Sequence, residues 1–159
     1  MTIRVGIESD LERAFELIKE LAVYEKEPDA VVTTVESMRR DGFGDNSIFG
    51  FFVAEDDDKN VVGLSLYYYR YSTWKGKRLY LEDLIVTESA RGKGYGQALF
   101  DATLQHSIEQ ECTGMMWQVL DWNEHAIGFY KSYGAELDSA WVNCHLDRKQ
   151  IDSYLNAAT

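Results

Sequence analysis

The stretch Arg91-Gly92-Lys93-Gly94-Tyr95-Gly96 sets three glycines at alternate positions, behind the apolar run 79–86 and ahead of a helical pattern that opens at Gln97. Without Cβ atoms the backbone amides come close to a ligand, and the following helix adds unpaired N–H groups and the positive end of its dipole. That combination suits a diphosphate. It is not a P-loop, because Gly94 follows Lys93 where Ser or Thr is required. Nor is it a dinucleotide fingerprint, since the spacing is G-x-G-x-G and the loop lies past the middle of the chain. Two further groups have chemistry to offer. Glu82 and Asp83 are adjacent carboxylates on a strand, which by the alternation of a strand point to opposite faces, so that one of them faces a given cleft. Asn123 and Tyr130 are seven apart, about two helical turns, and share one side of a helix.

The elements that carry these residues are legible in outline. Ile3–Ile7 alternates as a first strand, and a stripe of Leu11, Phe15, Ile18, Leu21 and Ala22 predicts a helix to about Glu25, opened by Ser9 with Glu12 at capping-box spacing. Thr33 with Glu36 repeats the cap before a short helix through Met38 that ends at Asp41-Gly42-Phe43-Gly44. Phe49–Glu55 and Val61–Tyr71 pair as a hairpin about the turn 56–60. The segment 72–77 then leads into a strand from Leu79 to Val86. A helix with Phe100, Leu104 and Ile108 on one face follows the glycine loop, then a strand from Met115 to Leu120, a helix from Asn123 to Tyr133, a strand from Trp141 to Leu146 and a short helix from Asp147. This order predicts one domain over 1–159, a mixed sheet of the α+β or α/β class flanked by helices.

Composition narrows the function. The 159 residues are 45% hydrophobic with one proline, which argues for a folded core, and no window reaches the roughly 18 apolar residues of a membrane span. MTIRVGIESD lacks the charged leader and apolar run of a secretory signal, so the cytoplasm is expected. The net charge of −11, from 27 acidic and 16 basic residues, disfavours nucleic acid and steers cationic small molecules toward the protein. Cys112 and Cys144 form no C-x-x-C and read as packed thiols, and the three histidines show no ligand spacing, so no metal is implied.

The loop R-x-x-G-x-G from Arg91 to Gly96 resembles the acyl-CoA pyrophosphate loop of the GCN5-related N-acetyltransferases, and the order of elements resembles that family along nearly the whole chain. Segments 18–22, 41–44, 79–83, 121–124 and 129–131 are together similar to its spermidine/spermine acetyltransferase branch. Tyr71-Ser72-Thr73-Trp74-Lys75-Gly76-Lys77 with Asp121-Trp122-Asn123 is most similar to the thialysine Nε-acetyltransferase members.

The resemblance implies the acyl-CoA N-acyltransferase fold, with a mostly antiparallel sheet and a splayed strand pair, and acetyl-CoA as co-substrate. It assigns Leu84, Ile85 and Val86 to the pantetheine arm, Arg91, Gly92, Lys93, Gly94, Tyr95, Gly96 and Gln97 to the pyrophosphate, and Asn123, Tyr130 and Lys131 to the same cofactor. It implies Tyr130 near the thioester sulfur, where a phenol with a pKa near ~10 can protonate a departing thiolate. It implies Glu82 as the relay that takes the proton from an alkylammonium, a step costing about 4 to 5 kcal/mol at neutral pH. Glu25, Trp74 and Asp83 match positions around the amine, Trp74 through a cation–π contact. A homodimer with substrate sites near the subunit boundary is also implied.

Departures from the pattern bear on the substrate. Polyamine-acetylating members carry an acidic residue where this chain has Ser72, and another before a late tryptophan where this chain is shorter, at Asp138-Ser139-Ala140-Trp141. Fewer carboxylates suit a short or zwitterionic amine, so thialysine or a lysine-like amino acid is expected, with a diamine or polyamine as the alternative. A noncatalytic acyl-CoA-binding module is the reading from another class.

Overall fold

The computed structural model describes residues 1–157, in two compact units, one spanning Met1–Leu120 and a second that begins at Asp121. The first unit holds the sheet. Its strands β1 (Thr2–Val5), β2 (Gly50–Glu55), β3 (Val61–Ser72), β4 (Gly76–Val86) and β5 (Met115–Met116) lie side by side in chain order. The first three pairings are antiparallel and the last is parallel, the crossover being made by α3 (Tyr95–Glu109). This is the mixed, mostly antiparallel sheet with flanking helices that the element order predicts.

Helices α1 (Leu11–Tyr24) and α2 (Val35–Phe43) cover one face of the sheet. Leu11, Ala14, Leu17, Val35 and Met38 pack there on Phe51, Val53, Leu64, Leu66 and Ile85. Strand alternation turns the intervening residues to the other face, where Ser65 and Thr103 of α3 share a buried hydroxyl hydrogen bond of 2.6 Å. Helix α3 buries Tyr95, Leu99, Phe100, Thr103 and Ser107, whereas Ile108, expected on the apolar face, is exposed. The stripe follows 95, 99, 103 and 107 at helical spacing, and Ile108 falls beside it.

Several boundaries move for local reasons. A 3-10 turn at Glu8–Asp10 precedes α1, and Asp10 rather than Ser9 accepts from the Ile7 amide at 2.9 Å. The cap of α2 is Thr34 with Ser37, in reciprocal bonds of 3.0 and 3.1 Å, one residue beyond the expected pair. The turn 56–60 forms as expected, with Asp56 accepting from the Asp58 and Asn60 amides. β4 begins at Gly76 because Ser72 pairs with Gly76 across a tight turn, drawing 76–78 into the ladder.

In the second unit, α4 (Glu124–Ser132) and α5 (Arg148–Ala157) form close to expectation. Of two expected strands, one is cut short near the end of the first unit and the other does not form. β5 is only two residues long, and no strand forms over 141–146, where Trp141, Val142 and Leu146 are all exposed. A β-branched or aromatic run becomes a strand only where a neighbour completes its ladder, and none pairs with it among the described residues. Cys144 is exposed rather than packed, and Cys112 is half-buried.

Candidate active site

β4 carries most of the site, and one irregularity in it decides the geometry. Leu66 of β3 pairs with Asp83, but Tyr67 pairs with Leu81, so Glu82 is an extra residue in β4 without a partner. Such a bulge breaks the alternation of side chains. Asp83 lies opposite Leu66 and Ile85 opposite Leu64, both on the α1 face, while Tyr80 lies opposite Tyr68 on that same face. Glu82 acts on the phenols of Tyr68 and Tyr80, and its charge is also felt by Asp83. Both carboxylates therefore serve the α1 face, which corrects the expectation that adjacent residues diverge.

Glu25 joins them from the end of α1. The helix closes with the Glu27 amide on Ala22 O at 2.9 Å and Lys26 in the left-handed region at φ 67°, which fixes where Glu25 stands. Burial raises the Glu25 carboxyl above its ordinary range. Asp83 is pushed up to about 7, by burial first, then by the charges of Glu82 and Glu25. Asp83 therefore holds a proton near neutrality, and three carboxylates crowded in this way favour a cation that would relieve their repulsion.

The glycine loop adjoins this cluster through Arg91. Its Nε donates to Val86 O at 3.0 Å, and its guanidinium lies 5.0 Å from the ring of Tyr24, the neighbour of Glu25. Gly92 and Gly94 adopt φ of 75° and 85°, and a Cβ added at either meets nothing within 4 Å. That leaves an open backbone cradle. Helix α3 begins at Tyr95, two residues before the expected Gln97, with Gly94 as an N-cap that has no side-chain hydrogen bond. The Ala98 amide bonds to Gly94 O, so the amides of Tyr95, Gly96 and Gln97 have no partner within the helix. Lys93 is exposed and reaches Ser89 O at 3.4 Å.

β4 also has a free edge. β5 pairs with it only at Leu79–Met115 and Tyr80–Met116, so Leu84, Ile85 and Val86 have β3 on one side and no β5 ladder on the other. An extended polyamide could add to that edge by main-chain hydrogen bonds. Open cradle, free helix amides and unpaired edge together fit a pyrophosphate and its pantetheine arm.

Other expected residues lie apart or in the second unit. Trp74 sits in the β3–β4 turn, 83% exposed, its amide donating to Ser72 Oγ at 3.3 Å. Six residues of strand separate Gly76 from Glu82, roughly 20 Å of rise, so Trp74 does not join the carboxylates of its own chain. In the second unit Asn123 is the N-cap of α4, its Oδ1 accepting from the Ala126 amide at 3.2 Å. Tyr130 is buried one residue from Phe129, whose ring it meets edge-on at 5.3 Å, and Lys131 is exposed.

Sequence reasoning missed Tyr68, Tyr80 and Arg70 beside Glu82. Tyr68 and Tyr80 stack at 5.1 Å, and the Arg70 guanidinium lies 5.9 Å from the Tyr80 ring. A signal was present: the residue numbers of each pair are symmetric about Trp74, and a tight turn there sets Tyr68 against Tyr80 and Arg70 against Arg78.

Comparison with known proteins defines the class. The profile of the Acetyltransferase (GNAT) family matches residues 10–135, and the chain belongs to that family. It is an N-acetyltransferase. It is 39% identical over 141 residues to the thialysine N-epsilon-acetyltransferase of Bos taurus, a match covering 84% of this chain and 83% of the relative. It is 38% identical over 162 residues to the spermidine/spermine N(1)-acetyltransferase-like protein 1 of Homo sapiens, spanning 98% of this chain and 23% of that longer protein. An aminoglycoside acetyltransferase from an uncultured soil metagenomic sample has the same fold, with a TM-score of 0.75 at 23% identity over 92% of this chain and 96% of its own. No group of three or more potential metal ligands occurs among the described residues, and no described helix is long and apolar enough to cross a membrane.

Proposed function

We propose that the protein is an acetyl-CoA-dependent N-acetyltransferase of a small primary amine, with thialysine or a lysine-like amino acid preferred and a diamine or polyamine as the alternative. The observation that carries this reading is the meeting of the Glu25–Glu82–Asp83 cluster and the amide-lined glycine loop at the unpaired end of β4. The thialysine N-epsilon-acetyltransferases at 39% identity support the choice of amine.

Acetyl-CoA supplies an activated acetyl thioester when bound. The backbone of 92–97 and the first amides of α3 hold its diphosphate, and Leu84–Val86 hold the pantetheine amides. The carboxylate cluster attracts the substrate ammonium and orients it. Glu82 takes the proton, through water, that the amine must lose before it attacks directly, and a backbone N–H near Val86 stabilises the developing oxyanion. Tyr130 holds a proton for the departing sulfur. Asp83 offers a second reading of the base, because a carboxyl with a pKa of about 7 is matched to proton transfer at neutral pH.

The functional unit in this proposal is a single GNAT domain acting as a homodimer in the cytoplasm. The position of Trp74 supports the dimer: a side chain exposed at a hairpin tip and remote from its own carboxylates can contact an amine in the partner's site.

The test is thiol release from acetyl-CoA against thialysine, lysine, short diamines, spermidine and spermine, with product mass measured. Selective turnover of the amino acids is expected. Preference for polyamines would overturn the choice of amine, and no release with any amine would overturn the proposal.

A further inference from the structure

The α1 face of the hairpin bears an anionic group at one end and a cationic pair at the other. Glu82 reaches the stacked phenols of Tyr68 and Tyr80 from the bulge. From the turn side, Arg70 approaches the same two rings. Arg70 pairs directly across the ladder with Arg78, and like charges directly opposite on two strands repel. Neither arginine forms an ion pair with a carboxylate among the described residues.

Their remaining contacts do not satisfy them. Arg70 Nη1 approaches the weak acceptor Met116 Sδ at 2.9 Å, and Arg78 Nη2 donates to Met115 O at 2.9 Å. Arg78 Nε is buried without a hydrogen-bond partner, which is costly unless an acceptor arrives. In a chain of net charge −11, two unneutralised guanidinium groups side by side call for an anion.

We propose that Arg70, backed by Arg78, forms a carboxylate-binding subsite that holds the α-carboxylate of an amino-acid substrate whose side-chain ammonium lies at Glu25, Glu82 and Asp83. The inference rests on the reading above that a primary amine is bound by those carboxylates. A lysine-like molecule separates its two charged ends by roughly 7 Å when extended, as standard bond lengths give. The Tyr68–Tyr80 pair offers an apolar wall for the methylenes between them, and the planar guanidinium can meet a carboxylate with two parallel hydrogen bonds. A polyamine has no carboxylate to offer, and its second ammonium group would meet Arg70 as a like charge. Substrate choice on this account comes from a cation added at the far end as well as from carboxylates missing at the turn.

The experiment compares lysine with cadaverine, the same chain without its carboxylate. Calorimetric binding to the protein saturated with coenzyme A is measured alongside turnover with acetyl-CoA, for wild type, Arg70→Gln and Arg70→Lys. Arg70 lies on an exposed part of the hairpin, so its variants keep the core intact. Arg70→Gln is expected to weaken lysine binding about tenfold to a hundredfold while cadaverine changes by less than about twofold, and Arg70→Lys to recover part of the loss. Equal loss on both ligands, no loss on lysine, or wild type binding lysine no better than cadaverine would overturn the subsite. Failure of the acetyltransfer reading has a separate signature, namely Arg70-dependent binding of lysine with no thiol release from any amine.

Discussion

Glu82 and Asp83 are consecutive in β4 yet work on the same face of the sheet, because Glu82 is the unpaired residue of a β-bulge. A regular strand would separate two adjacent side chains to opposite faces. The extra residue instead sets Glu82 against the Tyr68 and Tyr80 phenols and leaves Asp83 beside Glu25, so that one short stretch of backbone builds a three-carboxylate group with the end of α1.

Stability is expected to peak in mildly acidic solution. Asp10 is held below its ordinary range, first by its hydrogen bonds from Arg4, so its contribution is present above about pH 4 and is lost as pH falls through the folded-state value. Asp83 has the opposite sign. Its folded pKa of about 7 exceeds the unfolded value of 3.8, so stability declines as pH rises from about 4 to 7. Asp83→Asn should therefore stabilise the protein by about 1 to 3 kcal/mol above pH 7, with the gain vanishing near pH 4. Thermal unfolding across pH 3 to 9 measures both limbs; a gain that does not vary with pH would remove the titration argument.

The identity of the base is read from rate profiles. If Glu82 relays the proton, Glu82→Gln lowers kcat/KM most at low pH, where the amine is hardest to deprotonate. If Asp83 is the acceptor, wild-type activity falls below about pH 7 and Asp83→Asn loses that limb. Tyr130→Phe should reduce kcat by about a hundredfold with acetyl-CoA binding nearly intact, and unchanged turnover would remove it as the acid.

Gly94→Ala tests the loop through its backbone. At φ 85° an alanine is strained by roughly 1 kcal/mol, although its Cβ meets no neighbour. We expect a melting temperature lowered by a few degrees and an acetyl-CoA KM raised by about tenfold, with the amine KM little changed. An unaltered acetyl-CoA KM would argue against the cradle.

The sequence by itself determined what is local in cause. Helical stripes located α1 and α3, turn chemistry at Asp56–Asn60 located the hairpin, and the glycines from Gly92 to Gly96 marked a loop that needs φ above zero at Gly92 and Gly94. Spacing drew attention to Glu82 and Asp83, whereas Glu25 was joined to them only by resemblance to the family. Tertiary structure decided what depends on pairing between distant segments. The bulge at Glu82 is a property of two strands in register, and alternation within one strand gives no sign of it. The run 141–146 has the composition of a strand and no ladder to join. Trp74 and Arg70 are placed for the same reason, since a hairpin symmetric about Trp74 puts its turn at Gly76 roughly 20 Å along the strand from Glu82 and sets Arg70 opposite Arg78 beyond Tyr80.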